Sequence, residues 1–244
     1  MLTREELSPM IDHTNLNLDA IPAEIEELCQ EALDYHFGAV CVRPDMVETA
    51  HGYIFEYMLI YGGDYAVNVA SVVGFPTAKT TTVEEMIENL SQYTTADKVK
   101  EAEKAISVGV DEIDMVIDLG AMKSGNYVQV RDDIKAVVDM CGRHIESKVI
   151  IETGYLTHNE KLTACVIADA VGAGFVKTST GFGVSGANAS DLELMSGMVG
   201  SNVGIKASGG VHTVEQAISF YEATQKYRHH EFRVGASKLV GEYK

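Results

Sequence analysis

The chain has 244 residues, of which 46% are hydrophobic and 23% charged, a balance typical of globular proteins with enough apolar material for a core. Its 19 lysines and arginines against 36 aspartates and glutamates give a net charge of −17, so most of the surface would repel nucleic acid, and a bound phosphate would need a local positive pocket. The first twenty residues include acidic charges but no long apolar stretch, so we expect neither a signal peptide nor a membrane partner, and a cytoplasmic location.

Short apolar and β-branched runs recur along the chain, each followed by a turn signal. They predict eight strands, at residues 9–12, 39–42, 65–73, 112–117, 148–153, 175–180, 203–207 and 232–235. Polar and apolar residues alternating at i, i+3 and i+4 predict helices at residues 23–36, 98–108, 127–142, 160–171, 191–198 and 214–227. The repeated order of strand and helix is typical of a parallel sheet.

Two of these helices carry a predicted start signal. Thr157 with Glu160, and Thr213 with Gln216, have the spacing of a capping box, in which side chain and backbone satisfy each other reciprocally. No linker or low-complexity stretch interrupts the series, so we expect one domain over residues 1–244. Residues 77–97 are long and Thr-rich for a connection between strand and helix, and we interpret them as a lid or a surface insertion.

The strand and helix pattern fits two α/β architectures. An open doubly wound sheet usually shows a Gly-rich phosphate fingerprint after its first strand, and Asp12-His-Thr-Asn15 lacks one. We therefore predict a single (β/α)₈ barrel, the TIM-barrel fold, for which 244 residues is an ordinary length. Active sites of this fold lie at the carboxyl ends of the strands, which directs attention to the polar residues that close the apolar runs.

Two predicted strands each contain a lysine, Lys177 and Lys206. A strand covered by helices outside and packed inside keeps its side chains from water, and an unpaired buried ammonium is costly, so its pKa falls. Lysines on consecutive parallel strands would also lie close together, and each cation would make the other easier to deprotonate, as a lysine nucleophile requires. Asp114, among apolar neighbours, is a third candidate, able to hold one lysine charged and to relay protons.

Glycines and hydroxyls follow both lysines and recur after the last strand. They are Thr180, Gly181 and Gly183, then Ser208, Gly209 and Gly210, then Gly235 and Ser237. Any one of them reads as an ordinary turn, but three such turns on the last three strands predict a phosphate site, since barrels commonly bind phosphate there. The scattered cysteines and histidines show no metal-ligand spacing, so we predict no metal; His13 reads as structural.

Eight motifs in this sequence resemble, in the same order, those of the deoxyribose-phosphate aldolases. They are Ile11-Asp-His-Thr14, Ala39-Val-Cys-Val42, Val72-Val-Gly-Phe-Pro76, Glu112-Ile-Asp-Met-Val116, Lys148-Val-Ile-Ile-Glu-Thr153, Phe175-Val-Lys-Thr-Ser-Thr-Gly-Phe-Gly183, Gly204-Ile-Lys-Ala-Ser-Gly-Gly210 and Arg233-Val-Gly-Ala-Ser237. The two lysine motifs are highly specific as a pair. The resemblance implies a lyase that reversibly cleaves 2-deoxyribose 5-phosphate to acetaldehyde and glyceraldehyde 3-phosphate, without a metal or organic cofactor.

The resemblance also assigns roles. It implies that Lys177 forms the Schiff base, that Lys206 depresses the pKa of Lys177, and that Asp114 moves protons through water. It further implies that Asp12 and Thr14 contact the sugar hydroxyl region, that Cys41 lines the pocket, and that the Gly/Ser turns receive the phosphate.

The sequence departs from the family pattern at Lys238 and His212, where serine and arginine are common, and in residues 77–82. A Schiff-base aldolase for another phosphorylated sugar, and a catalytically silent barrel that binds a sugar phosphate, therefore remain as alternatives. A homodimer is expected only on general grounds.

Overall fold

A computed structural model describes residues 2–62, 66–227 and 230–244. Eight parallel strands form a closed barrel in chain order, with β1 paired to both β2 and β8. They are β1 (Ile11–Asn15), β2 (Ala39–Val42), β3 (Asn68–Val73), β4 (Glu112–Val116), β5 (Glu146–Ile150), β6 (Phe175–Lys177), β7 (Gly204–Ser208) and β8 (Phe232–Ala236). The predicted (β/α)₈ barrel is therefore confirmed.

Helices precede the first strand and connect successive strands around the outside of the barrel. They are α1 (Arg4–Leu7), α2 (Pro22–Asp34), α3 (Val47–Tyr61), α4 (Val83–Leu90), α5 (Thr95–Ser107), α6 (Leu119–Lys123), α7 (Tyr127–Cys141), α8 (His158–Ala170), α9 (Ala189–Met198) and α10 (Val214–Thr224). Short 3₁₀ turns lie at Ser8–Met10, Pro44–Met46, Thr153–Tyr155 and Leu239–Glu242. None of the helices within the described ranges has the length and apolar character needed to cross a membrane.

All six predicted helices are present, with ends shifted by a few residues, but the short helices α1, α4 and α6 were not predicted, and neither was the longer α3. Its exposed positions carry Phe55, Leu59 and Ile60, so the contrast between polar and apolar faces that marks a surface helix is weak. Strands β5 and β6 end earlier than predicted, at Ile150 and Lys177, and the polar residues that follow belong to loops. Part of the third predicted strand, at Tyr65, lies outside the described residues.

The two predicted capping boxes differ in outcome. At α8 both reciprocal bonds between Thr157 and Glu160 form. At α10 the Thr213 side chain accepts from the Gln216 backbone N–H, but the Gln216 side chain accepts from His212 instead of Thr213. The prediction of a reciprocal box is wrong there, because the neighbouring N–H competes for the same oxygen.

Residues 77–97 contain α4, the turns that flank it and the first three residues of α5. The Thr80 backbone N–H donates to the carbonyl of Phe182 over 2.8 Å, and the Thr80 hydroxyl lies 2.8 Å from the Tyr155 hydroxyl. This part of the segment therefore contacts the loops that follow β5 and β6, at the end of the barrel where barrel enzymes place their active sites. A lid function for residues 77–97 stays a prediction.

Candidate active site

The two strand lysines contact one carboxylate inside the barrel. Lys177 on β6 and Lys206 on β7 are register partners, which places their side chains on the same face of the sheet. The Lys177 Nζ donates to Asp114 Oδ2 over 2.6 Å, and the Lys206 Nζ donates to the same oxygen over 2.7 Å. All three residues are at most 2% exposed. The structure thus brings together the three residues that the sequence predicted as the reactive group.

Further charged residues complete this group, which we call the barrel ion cluster. Lys148 on β5 donates to Asp114 Oδ1 over 3.2 Å and also contacts Glu112. Arg233 on β8 donates from Nε to Asp12 Oδ1 over 2.7 Å. The cluster comprises the carboxylates of Asp12, Glu112 and Asp114 with the cations of Lys148, Lys177, Lys206 and Arg233.

Sequence reasoning overlooked Lys148, Glu112 and Arg233 as site residues. Each is a charged residue in an apolar strand run, which is the signal that identified Lys177, but each stands at or near the first position of its run. There it read as the exposed start of a strand, whereas all three are at most 8% exposed.

The pKa values of Lys177 and Lys206 are shifted in opposite directions, although both lysines contact the same oxygen of Asp114. Burial lowers the pKa of Lys177 below its ordinary value, with Asp114 opposing this change and the charge of Lys206 adding to it. Burial also acts to lower the pKa of Lys206, but Asp114 and Asp12 together raise it above its ordinary value. Lys177 is therefore the lysine that can lose its proton, while Lys206 stays an ammonium.

Asp114 stays ionised in this environment. Burial favours its neutral form, but Lys148, Lys177 and Lys206 hold its pKa well below the usual range. Asp12 behaves alike, since Arg233, Lys206 and Lys148 together outweigh the effect of burial, and its pKa is also lowered. Asp12 and Asp114 are therefore fixed negative charges in the cluster, and Lys177 loses its proton more easily than Lys148 or Lys206.

A cavity of about 650 Å³ opens where strands β1, β6, β7 and β8 end. Eight of the residues predicted to bind substrate line it, namely Thr14, Thr180, Gly181, Ser208, Gly209, Gly210, Gly235 and Ser237. The three Gly/Ser turns therefore share one cavity, as the phosphate prediction requires. Lys79 and Lys238 also line the cavity and supply positive charge there, and three carboxylates of α2, Glu24, Glu27 and Glu31, line it as well.

Two glycines show why these turns need that residue. Gly209 has a φ of +88°, which side chains rarely adopt, and a Cβ there would approach Gly181 and Gly186. At Gly235 a Cβ would lie 2.8 Å from the Ser208 hydroxyl and 3.3 Å from Lys206 Cε. A glycine on β8 thus leaves space for the lysine and the hydroxyl of β7.

Three predicted substrate-binding residues lie elsewhere. Asp12 and Cys41 are fully buried in the barrel and do not line the cavity. The Asp12 carboxylate is hydrogen-bonded to Arg233 and Lys206. Burial raises the pKa of the Cys41 thiol to about 11, so it stays protonated. Gly183 does not line the cavity and packs against the Tyr155 ring and the Glu152 carboxylate, and a Cβ there would lie 2.9 Å from Tyr155.

His13, read as structural, is 2% exposed and lies at the cavity wall. Its Nε2 is 2.7 Å from Glu31 Oε2, in an ion pair when the ring is protonated. This contact ties the end of β1 to α2, and it fits the structural interpretation of this histidine.

Glu152 is a buried residue that sequence reasoning did not identify. It follows β5, is fully buried, and adopts left-handed backbone angles of φ 56° and ψ 61°. Its Oε2 accepts the Thr180 backbone N–H over 3.0 Å, and burial raises its pKa. The predicted strand extended over this residue, which hid it among strand positions.

A closed (β/α)₈ barrel that holds two buried lysines on one carboxylate, beneath a polar cavity, has the architecture of a lysine-dependent lyase. The model of the DeoC/LacD family of aldolases matches residues 8–237. The chain belongs to this family, which confirms the resemblance stated from the motifs.

Similar proteins agree in length and fold. The deoxyribose-phosphate aldolase of Aciduliprofundum boonei is 44% identical over 236 residues, covering 96% of this chain and 94% of that protein. A crystal structure assigned provisionally as a deoxyribose-phosphate aldolase, from Coccidioides immitis, matches with a TM-score of 0.82 at 35% identity, over 98% of this chain and 86% of that one. The deoxyribose phosphate aldolase of Aeropyrum pernix, described as tetrameric, shares the fold with a TM-score of 0.80 at 23% identity, over 99% and 92% of the chains.

Proposed function

We propose that this aldolase reversibly cleaves 2-deoxy-D-ribose 5-phosphate to acetaldehyde and D-glyceraldehyde 3-phosphate, through a Schiff base on Lys177. The observation that carries the proposal is the lysine pair on Asp114, with the pKa of Lys177 lowered and that of Lys206 raised. Two groups whose environments push their pKa values apart divide the work, one as nucleophile and one as charged partner.

The reaction begins at the aldehyde carbon, C1. The neutral Nζ of Lys177 adds to C1 and forms a carbinolamine, in which the carbonyl oxygen has taken up a proton. Loss of that hydroxyl as water leaves a protonated imine between Lys177 and C1. Asp114, working through water, moves the protons in both steps, and Lys206 stays charged beside it.

The imine then accepts the electrons of the bond between C2 and C3. A base removes the proton of the C3 hydroxyl, C3 becomes the aldehyde of glyceraldehyde 3-phosphate, and the bonding pair leaves an enamine on C2, C1 and Lys177. Protonation of C2 restores the imine, and its hydrolysis releases acetaldehyde and free Lys177. We assign the proton transfers to Asp114, again through water.

The phosphate is assigned to the three Gly/Ser turns of the cavity. Backbone N–H groups at turns and helix starts favour an anion, and Lys79 and Lys238 add charge on an otherwise acidic protein. Thr14 lines the same cavity and is assigned to the sugar hydroxyl region, whereas buried Asp12 acts on substrate only through Lys206. No cofactor or metal enters this scheme.

Reductive trapping tests the nucleophile. The protein is incubated with acetaldehyde, reduced with borohydride and digested, and the modified lysine is located by mass spectrometry. We expect one adduct, on Lys177 and not on Lys206. No adduct in folded protein would contradict the Schiff-base assignment and favour a silent barrel.

A substrate panel tests the sugar. The departures at Lys238, His212 and residues 77–82 concern the neighbourhood of the phosphate cavity, so they leave another phosphorylated sugar as the second candidate. We expect the largest kcat/KM for 2-deoxyribose 5-phosphate. An equal or larger value for another sugar phosphate would replace it, while leaving the lysine chemistry in place.

We also propose self-association, with a homodimer as the first expectation. Most soluble oligomers are symmetric homo-oligomers, and the tetrameric relative shows that this fold can assemble. Sedimentation analysis of the purified chain decides between a monomer, a dimer and a tetramer.

A further inference from the structure

Glu152 combines two locally unfavourable features in one residue. Its φ of 56° places a non-glycine side chain in the left-handed region, which costs about 1 kcal/mol or more. Its Oε1 atom is buried and has no hydrogen-bond partner within the described part of the chain. Strained and unsatisfied groups of this kind cluster at functional positions, so the contacts of Glu152 need an explanation.

The surrounding backbone fixes this conformation. The Ile151 N–H donates to the carbonyl of Lys177 over 3.0 Å, and the Thr153 N–H donates to the carbonyl of Thr178 over 2.9 Å. Glu152 is therefore held between two bonds that continue the pairing of β5 with β6 beyond the strand ends. Its side chain has little freedom to leave the loop that follows β6.

Glu152 contacts that loop at both ends of the turn formed by residues 180–183. Its Oε2 accepts the N–H of Thr180 over 3.0 Å. At the other end, a Cβ added to Gly183 would lie 3.1 Å from Oε1, so the carboxylate packs directly against the turn. Within the turn, the Thr180 hydroxyl accepts the N–H of Phe182 over 3.0 Å. Thr180 and Gly181, between these contacts, line the cavity.

We propose that Glu152 is a positioning residue, which holds the 180–183 turn in the conformation that receives the substrate phosphate. This inference rests on the proposed function, because it needs a phosphate in the cavity beside Gly181. Glu152 acts through Thr180 and does not touch the reacting carbon atoms. Without the acceptor, the turn spends less time in the binding conformation, and the apparent affinity falls in proportion to that fraction.

Two substitutions of similar size separate the effect of the Glu152 hydrogen-bond acceptor from that of side-chain volume. Glu152→Gln keeps an oxygen for the Thr180 N–H, whereas Glu152→Met fills the same space without one. We expect Glu152→Met to raise the KM for 2-deoxyribose 5-phosphate about tenfold, as for loss of one hydrogen bond to a charged group, and Glu152→Gln to restore most of that loss. The kcat/KM for unphosphorylated 2-deoxyribose should change about twofold or less in either variant, because it has no phosphate for the turn to receive.

Glu101 provides the matched control. Its Oε2 also accepts a backbone N–H, that of Gly74 over 2.8 Å, but neither residue lines the cavity. Glu101→Met removes the same kind of bond, and we expect it to leave the preference for the phosphorylated over the unphosphorylated sugar unchanged. Thermal unfolding shows whether each variant is folded at the assay temperature.

The outcomes separate this inference from the proposed function. If wild type does not prefer the phosphorylated sugar, the phosphate site itself is wrong. If wild type prefers it and Glu152→Met keeps the full preference, only the role of Glu152 is overturned. An equal loss on both sugars would also overturn it, since it would show a general structural role.

Discussion

Two buried contacts between lysine and aspartate, nearly equal in length, lie on the two sides of the barrel wall. Outside, between α5 and α7, Lys98 Nζ is 2.7 Å from Asp133 Oδ2. Inside, Lys177 Nζ is 2.6 Å from Asp114 Oδ2. All four residues are at most 3% exposed. Burial and distance alone therefore do not distinguish a structural lysine from a reactive one.

The difference lies in what else each pair contacts. Lys98 also donates to the carbonyl of Val116 over 2.8 Å, and Asp133 Oδ1 accepts from the Thr95 hydroxyl over 2.8 Å. That pair matches one cation with one carboxylate, and its other hydrogen bonds are made to neutral groups. Asp114 is instead shared by three lysines. Lys148 and Lys206 also contact other carboxylates, whereas Lys177 forms an ion pair with Asp114 alone among the described residues. Buried Lys177, whose one carboxylate is shared with two other cations, is therefore easier to deprotonate than Lys148 and Lys206, whose further carboxylates raise their pKa.

The largest effect is expected from removing the inner lysine. Lys177→Met should lower kcat by at least about 10⁴-fold, the scale seen when a covalent nucleophile is lost, because the pKa values of Lys206 and Lys148 beside it are raised. Lys98→Met removes a lysine of equal burial and should leave kcat per folded molecule unchanged. Steady-state rates with 2-deoxyribose 5-phosphate check both. Substantial activity in Lys177→Met would show that another amine, such as Lys206, forms the imine.

The fold was readable from the sequence because strand and helix periods alternate regularly. Strand β2 was predicted with its observed ends, and β6, β7 and β8 within three residues. Helix α3 was missed because it exposes apolar side chains such as Leu59, and period analysis depends on a polar face. A helix that exposes apolar side chains lacks the contrast between a polar and an apolar face, so the sequence pattern does not predict it.

The centre of the candidate site was also readable, since a lysine in a buried strand is chemically conspicuous. The rest of the barrel ion cluster was not, because it depends on side chains of β4 and of three other strands meeting in three dimensions. Lys148 and Glu112 contact each other across 36 positions of sequence, and Arg233 meets Asp12 across 221. Glu152 was missed for a different reason. Its left-handed backbone conformation cannot be predicted from the residue type.

The second largest effect is expected on the stability of the fold, when the outer pair of Lys98 and Asp133 is broken. Lys98→Met leaves the carboxylate of Asp133 buried without its cation, which typically costs about 3–5 kcal/mol in the free energy of unfolding. Lys98→Met combined with Asp133→Leu removes both charges and should recover most of that loss. Urea unfolding followed by circular dichroism measures all three proteins. If the double variant is no more stable than the single one, the outer pair does not behave as an isolated charge pair, and the contrast with the inner cluster is weaker.

The smallest effect is expected on the pH dependence of activity, which tests whether the charge of Lys206 lowers the pKa of Lys177. Lys206→Leu removes a cation that lowers the pKa of Lys177, while burial and Asp114 remain, so the pKa of Lys177 should rise. The limb of activity that needs the free amine should then move to higher pH. The same shift should appear in the pH dependence of borohydride trapping with acetaldehyde, which reports imine formation even where turnover is slow. A limb that stays in place would show that burial alone prepares Lys177, and that Lys206 serves a different purpose from lowering the pKa of its neighbour.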